Sequence, residues 1–80
     1  MAEFIETIKD ALLRRQEVER LTGFSRSAIY ARLNPVSPQY DPDFPKPVPM
    51  GNHAVRWVSG EVQAWIHGRI KARDTHSAVA

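Results

Sequence analysis

The stretch Arg15-Gln16-Glu17-Val18-Glu19-Arg20-Leu21-Thr22-Gly23-Phe24-Ser25-Arg26-Ser27-Ala28-Ile29-Tyr30-Ala31-Arg32-Leu33 decides the fold. Val18 and Leu21 stand three residues apart, a spacing that predicts a short helix from Arg15 to Leu21. The run stops at Thr22-Gly23, where glycine supplies the positive φ that a helix C-terminus commonly needs. Ser25 is a good N-cap, because its hydroxyl accepts from the first free backbone N–H groups. A second helix follows from Arg26 to Leu33, with Ile29 and Leu33 turned inward. Asn34-Pro35 ends it, since the residue before a proline avoids the helical region. Two helices joined through a glycine turn make a helix-turn-helix. Val18, Leu21, Phe24, Ile29 and Leu33 are the apolar contacts expected to hold the second helix rigid.

A rigid helix with a free face fits the DNA major groove, and its first residues usually meet base edges. Arg26 stands at that start. Ser27 and Ala31 face away from the inward side and are small enough for close approach. Tyr30, on the flank of Arg26, suits a phosphate or sugar contact, and Arg32 lies on the other flank. The plainer reading is a helix with solvated arginines and a half-buried tyrosine.

Downstream, all six prolines fall between Pro35 and Pro49. Residues 34–44 have almost no apolar periodicity and read as an ordered surface loop, anchored at its end by Phe44-Pro45. Lys46-Pro47-Val48-Pro49-Met50 fits only an edge strand, because prolines remove ladder donors. Gly51-Asn52-His53-Ala54 supplies a turn, and Val55-Arg56-Trp57-Val58 a return strand with Val55 and Trp57 on one face. A hairpin after a helix-turn-helix is a wing. Its tip, Asn52 and His53, would reach a neighbouring groove or the backbone, with Lys46 and Arg56 available for phosphates; the alternative is a hairpin that only closes the core. Ser59 is the expected cap of a third helix from Gly60 to about Lys71, with Val62, Trp65, Ile66 and Ile70 as its apolar stripe. Residues 74–80 read as a flexible tail.

Upstream, residues 1–11 read as a leader, either a short helix or disordered. Phe4, Ile5, Ile8 and Leu12 have helical spacing, while Leu12-Leu13-Arg14 fits a brief strand that pairs later. The fold expected from these pieces is mainly α with a small β-hairpin: a winged helix-turn-helix over residues 12–73, with three core helices plus the wing.

Length and composition agree with one small domain. Eighty residues leave no room for a second core, and 42% hydrophobic with 25% charged residues reads as globular. With no cysteine there is neither a disulfide framework nor a thiolate metal site. His53, His67 and His76 lack ligand-like spacing, so no metal and no cofactor are expected. No Gly-rich phosphate loop and no placed nucleophile–base pair appear, so neither an enzyme nor a small-molecule substrate is expected. No apolar run approaches a membrane span, and no signal-peptide pattern opens the chain, so the expected location is cytoplasmic. The net charge of +2 conceals an uneven distribution. Residues 1–10 carry Glu3, Glu6, Lys9 and Asp10, net −2, whereas residues 14–33 carry five arginines against Glu17 and Glu19, net +3. Eight arginines against three lysines favour a partner with planar anionic groups.

Several of these residues, in order, resemble a known family. They are Leu12-Leu13-Arg14, Glu17-Val18, Leu21-Thr22-Gly23-Phe24-Ser25-Arg26-Ser27-Ala28-Ile29-Tyr30, Phe44-Pro45-Lys46-Pro47-Val48, and Val55-Arg56-Trp57-Val58-Ser59-Gly60-Glu61-Val62 with Ala64-Trp65-Ile66. The pattern is similar to the AlpA family of phage and prophage regulators, relatives of excisionases and of MerR-type winged helices. The resemblance implies a DNA-binding regulator of transcription in a bacterial or phage-infected cell, or alternatively an excisionase, with double-stranded DNA as partner. It places the recognition segment on Ser25, Arg26, Ser27 and Tyr30, and the wing on residues 46–56 with Lys46 and Arg56. The loop Asn34–Asp43 is longer than the turn many members have, and Arg15 stands where a serine or threonine cap is more usual. A domain this small contacts few base pairs, so two copies or a cooperative assembly on DNA is expected. A protein–protein adaptor on the same scaffold is the remaining alternative, in which Arg26, Tyr30, Lys46 and Arg56 would not converge.

Overall fold

The computed structural model describes residues 11–79, with side chains as far as Thr75. The helix expected around Phe4, Ile5 and Ile8 lies outside those residues. The elements run β1 (Leu12–Leu13), α1 (Arg15–Thr22), α2 (Arg26–Leu33), β2 (Val48–Pro49), β3 (Val55–Val58) and α3 (Ser59–Val79). Three helices and a small antiparallel sheet of order β1-β3-β2 make a winged helix-turn-helix.

The strand alternative for Leu12-Leu13 is the one the chain adopts. Leu12 pairs with Val58 and Leu13 with Trp57, and Val48 and Pro49 pair with Arg56 and Val55 on the other side of β3. Backbone hydrogen bonding leaves only two residues of the proline-rich run as strand, at an edge where a missing N–H costs nothing.

Arg14 precedes α1 without a serine or threonine, yet the helix begins cleanly. The Glu17 carboxylate accepts from the Arg14 N–H at 2.9 Å, which is the reciprocal half of a capping box. At the other end the Gly23 N–H donates to the Glu19 carbonyl at 2.8 Å, with φ of +78°. A Cβ on Gly23 would meet nothing within 4 Å, so alanine there tests backbone conformation alone. Gly23→Ala should cost about 1 kcal/mol in urea unfolding, the penalty for a left-handed non-glycine residue; no loss would mean that the turn relaxes. Ser25 caps α2 as expected, accepting from the Ala28 N–H at 3.2 Å.

The core consists of Val18, Ile29, Phe44, Trp57 and Val62, with Leu13, Phe24, Leu33, Val55, Trp65 and Ile66 packed against it. Leu21 is not a member: it is 51% exposed. The chain leaves α1 at Gly23, and Phe24 supplies the apolar side chain instead, with its ring 6.2 Å from Phe44 and 5.7 Å from Trp65. Trp57 is fully buried, and its Nε1–H donates to the Pro45 carbonyl at 3.1 Å. That bond ties the end of the proline-rich loop to the central strand.

Ser59 does not cap α3 but opens it. Its hydroxyl accepts from the Ala11 N–H at 2.7 Å, and its own N–H donates to the Ala11 carbonyl at 2.8 Å. The helix also runs well past the expected end near Lys71, to Val79. No glycine or proline follows Gly68, and Ala72 and Ala78 favour helix, so nothing stops it. At 1.5 Å per residue its 21 residues span about 32 Å. The core is shorter than that, which is why Ile70, expected in the apolar stripe, is 42% exposed. Among the described residues no helix is long and apolar enough to cross a membrane.

Residues 34–44 form an ordered chain of turns. Asn34, Ser37 and Asp41 side chains each accept a backbone N–H two residues on. Asp41 also accepts from Trp65 Nε1–H at 2.9 Å. That bond holds the Asp41 carboxyl below the ordinary value of 3.8; burial works against it, while the Asp43 N–H, Arg69 and Arg32 assist. A lowered folded-state pKa contributes stability above the unfolded value and loses it as pH falls through the folded value. Asp41→Ala should therefore destabilise by about 1 kcal/mol at neutral pH, where Trp65 loses its acceptor. The gap from the parent chain should narrow in urea titrations below about pH 4. A gap independent of pH would contradict the charge-assisted bond.

Candidate nucleic-acid interface

The second helix of the motif, α2, is held from below by Ile29, which is fully buried, and by half-buried Leu33. Its first turn is therefore fixed while its outer side chains are free. Ser25, Arg26 and Ser27 are exposed, and the Ser25 hydroxyl is already engaged as the cap. The Arg26 guanidinium lies 6.0 Å from the centre of the Tyr30 ring, a loose cation–π contact. Tyr30 is 39% exposed and meets buried Trp57 edge-on at 6.5 Å. The structure thus brings Arg26 and Tyr30 together on one flank, as their spacing suggests.

Arg32 is set apart from them. Its guanidinium stacks over Phe24 at 3.7 Å and donates to the Ala28 carbonyl at 3.0 Å. The side chain braces the turn between α1 and α2 rather than extending from the helix. Flank position on a helical wheel does not foresee this, because the aromatic ring it covers belongs to the turn.

At the wing tip, Gly51, Asn52 and His53 have φ values of +85°, +50° and +65°. Three successive left-handed residues form a tight knuckle, closed by the Met50 N–H donating to the Ala54 carbonyl at 2.8 Å. Asn52 and His53 are exposed on it. Asparagine tolerates that conformation well, whereas histidine does so less commonly.

The two basic residues flanking the wing do not converge. Lys46 lines a groove of about 870 Å³ between the proline-rich loop and α3, together with Asp41, Asp43, Glu61 and Trp65. Arg56 lines a separate open groove of about 620 Å³ with Arg14, Gln16, Glu17 and Arg20. Arg14 and Arg20 thus join Arg56, although neither is among the residues that the sequence pattern singles out. The signal was the excess of arginine over residues 14–33, but their position depends on a long-range pairing. Extending the β1–β3 register one step beyond Leu13 and Trp57 sets Arg14 across from Arg56.

Ion pairing sets these arginines apart from Arg15 and Arg73. Two ion pairs form among the described residues: Arg15 with Glu19 and Arg73 with Asp74, both at 2.8 Å. Arg14, Arg20, Arg26 and Arg56 have no described carboxylate within ion-pair distance. Glu17, though beside the groove, directs an oxygen to the Arg14 backbone N–H. One exposed guanidinium, that of Arg26, therefore marks the start of α2, and three line the groove between α1 and β3. Among the described residues no three histidine, aspartate or glutamate side chains are grouped closely enough to hold a metal ion.

A fixed, outward-facing second helix, a two-stranded wing and a third helix behind them define the class: a winged helix-turn-helix protein. Within that class, the family described as prophage CP4-57 regulatory protein (AlpA) matches residues 11–70, and the chain belongs to it. It is 42% identical over 60 residues to the DNA-binding transcriptional activator AlpA of Escherichia coli (strain K12), covering 75% of this chain and 86% of that protein. It is 38% identical over 65 residues to the uncharacterized protein ORF88 of Enterobacteria phage P4, covering 81% of this chain and 67% of that protein. No solved structure matches.

Proposed function

We propose that the chain is a sequence-specific, non-enzymatic DNA-binding regulator of transcription, of the phage and prophage type. The observation that carries this reading is the first turn of α2. There Ser25, Arg26 and Ser27 are exposed on a helix whose opposite side is locked into the core, with no described carboxylate paired to Arg26. The activity named for the E. coli relative agrees with it.

In this reading α2 enters the major groove, Arg26 reads a base edge and Tyr30 meets sugar or phosphate. Asn52 and His53 at the wing tip approach the neighbouring groove or backbone. Arg56, with Arg14 and Arg20, takes a phosphate, for which guanidinium groups provide paired donors. Arg32 has no part in the contact, and Lys46 contributes only at the margin. A single small domain gives modest specificity, so binding occurs as neighbouring copies on one duplex. The chain would act in the cytoplasm of the bacterial or phage-infected cell, on the DNA there.

The test is a binding titration over salt. Affinity for duplex DNA should fall linearly with salt on logarithmic axes, because each neutralised phosphate releases condensed counterions. Arg56→Ala should weaken all sequences about equally and reduce that slope by about 1. Binding that is absent or independent of salt would refute the reading.

One observation favours a second reading, a protein contact on the same scaffold. Lys46 parts from Arg56 and joins a groove rimmed by Asp41, Asp43 and Glu61. That groove is distinct from the arginine groove, so a protein contact there is compatible with DNA at α2.

A further inference from the structure

The third helix runs on past the core. Ile66 is its last residue packed there, and residues 67–75 are all exposed. A helical segment of that length is marginal by itself in water and depends on packing for its stability. The same helix walls the groove of about 870 Å³ that faces the Asp41 to Lys46 loop. Ala64, Gly68 and Ala72, four residues apart on one side, line that wall next to half-buried Trp65. A Cβ on Gly68 would meet nothing within 4 Å. Val48, 36% exposed, adds apolar surface to the groove.

Charge divides this surface in two. Asp43 and Glu61, with Lys46, border the groove beside the first half of α3, whereas Arg69 and Lys71 lie on the projecting half. Asp43, Glu61, Arg69 and Lys71 form no ion pair with described residues. A two-fold interface uses one patch twice, so the patch must carry both sides of each contact. This one does. With two α3 helices antiparallel about Gly68, Ala64 of each copy falls opposite Ala72 of the other. Each projecting half then lies in the other's groove, its basic residues beside Asp43 and Glu61. Opposite ends of the two helix dipoles also meet.

We propose that the chain pairs with a second copy of itself through this groove, as an antiparallel α3 dimer about Gly68. No residue of α2 lines the groove, so pairing leaves the reading helix free. An interface of one helix and one loop is small and weak in free solution, and it strengthens where two copies share one duplex. The pairing supplies the contact between the neighbouring copies inferred above, and it rests on the DNA-binding reading for that last step alone.

The sequence has no cysteine, so single thiols report the pairing. Gly68→Cys places a thiol at the two-fold, opposite its own copy. Gln63→Cys, exposed on a different side of α3, is the control. Without DNA, air oxidation should link Gly68→Cys chains about tenfold faster than Gln63→Cys chains, because thiols held in a pair meet at effective concentrations of roughly millimolar order. Equal rates would overturn the pairing.

Charge reversal in the Gly68→Cys chain tests the arrangement itself. Asp43→Lys with Glu61→Lys should abolish the faster linkage, and so should Arg69→Glu with Lys71→Glu. Mixing the two double variants should restore it as a mixed dimer, since each then supplies the charge the other lacks. Double variants that link like the parent, or a mixture no faster than its parts, would overturn the antiparallel arrangement. Should a double variant fail to fold by circular dichroism, the comparison of Gly68→Cys with Gln63→Cys decides alone. If the parent chain binds duplex DNA while Gly68→Cys shows no faster linkage, the pairing falls and the DNA reading stands. Faster linkage in a chain that binds no DNA keeps the pairing and removes the DNA reading.

Discussion

Replacing Trp57 with alanine should remove about 3–5 kcal/mol of stability, the usual cost of truncating a buried tryptophan. Small domains have only about 5–15 kcal/mol in total, and one of 80 residues belongs near the lower end. The variant should therefore be largely unfolded or close to its midpoint in buffer, as followed by circular dichroism in urea. The expectation is this large because Trp57 has several structural roles at once. It is fully buried in the central strand of the sheet, it pairs with Leu13, and it supports Tyr30 edge-on. Its Nε1–H also satisfies the Pro45 carbonyl. Trp57→Phe retains most of the apolar area but leaves that carbonyl without its donor, so it should cost less, about 1–3 kcal/mol. A loss below about 1 kcal/mol in the alanine variant would mean that the core does not centre on β3.

The second large effect concerns recognition rather than stability. If Arg26 reads a guanine edge, Arg26→Ala should cost about 1–3 kcal/mol at one base pair of the preferred site and relax the preference there. Folding should be unaffected, since Arg26 is exposed and meets the Tyr30 ring only loosely. The measurement is a comparison of affinities for a selected duplex and its single-base variants. A uniform loss across all sequences would make Arg26 a phosphate contact and move base reading elsewhere on α2.

The helix-turn-helix was readable from the sequence because its signals are local. Gly23, Ser25 and Asn34-Pro35 mark three of its boundaries by backbone chemistry, and α2 spans Arg26–Leu33 as those residues predict. The return strand was readable for the same reason, from four residues rich in β-branched and aromatic side chains. Where placement depends on residues distant in sequence, local reading stops. Leu21 fits the apolar pattern, but the chain turns away at Gly23 and Phe24 fills the space. Ile70 continues a helical stripe beyond the core that would bury it. Ser59 resembles a cap, but its hydroxyl is engaged by Ala11, 48 residues away in sequence.

The candidate interface divides along the same line. The first turn of α2 and the wing tip follow from local pattern. The arginine groove does not, because β1 must pair with β3 before Arg14 and Arg56 become neighbours. Arg32 departs from local pattern in another way: an arginine on an outer flank folds back over an aromatic ring in the preceding turn. Lys46 and Arg56 flank the same wing in sequence, yet the loop carries Lys46 into the groove beside α3.

The most direct test is to select a preferred duplex from random sequence and then map backbone amide shifts of the full chain as that duplex is added. If α2 reads DNA, the largest changes fall on Ser25 to Tyr30, with further changes at Asn52, His53, Arg56 and the groove residues Arg14 and Arg20. Changes confined to α3 and the Asp41 to Lys46 loop, with α2 silent, would contradict that mode of binding.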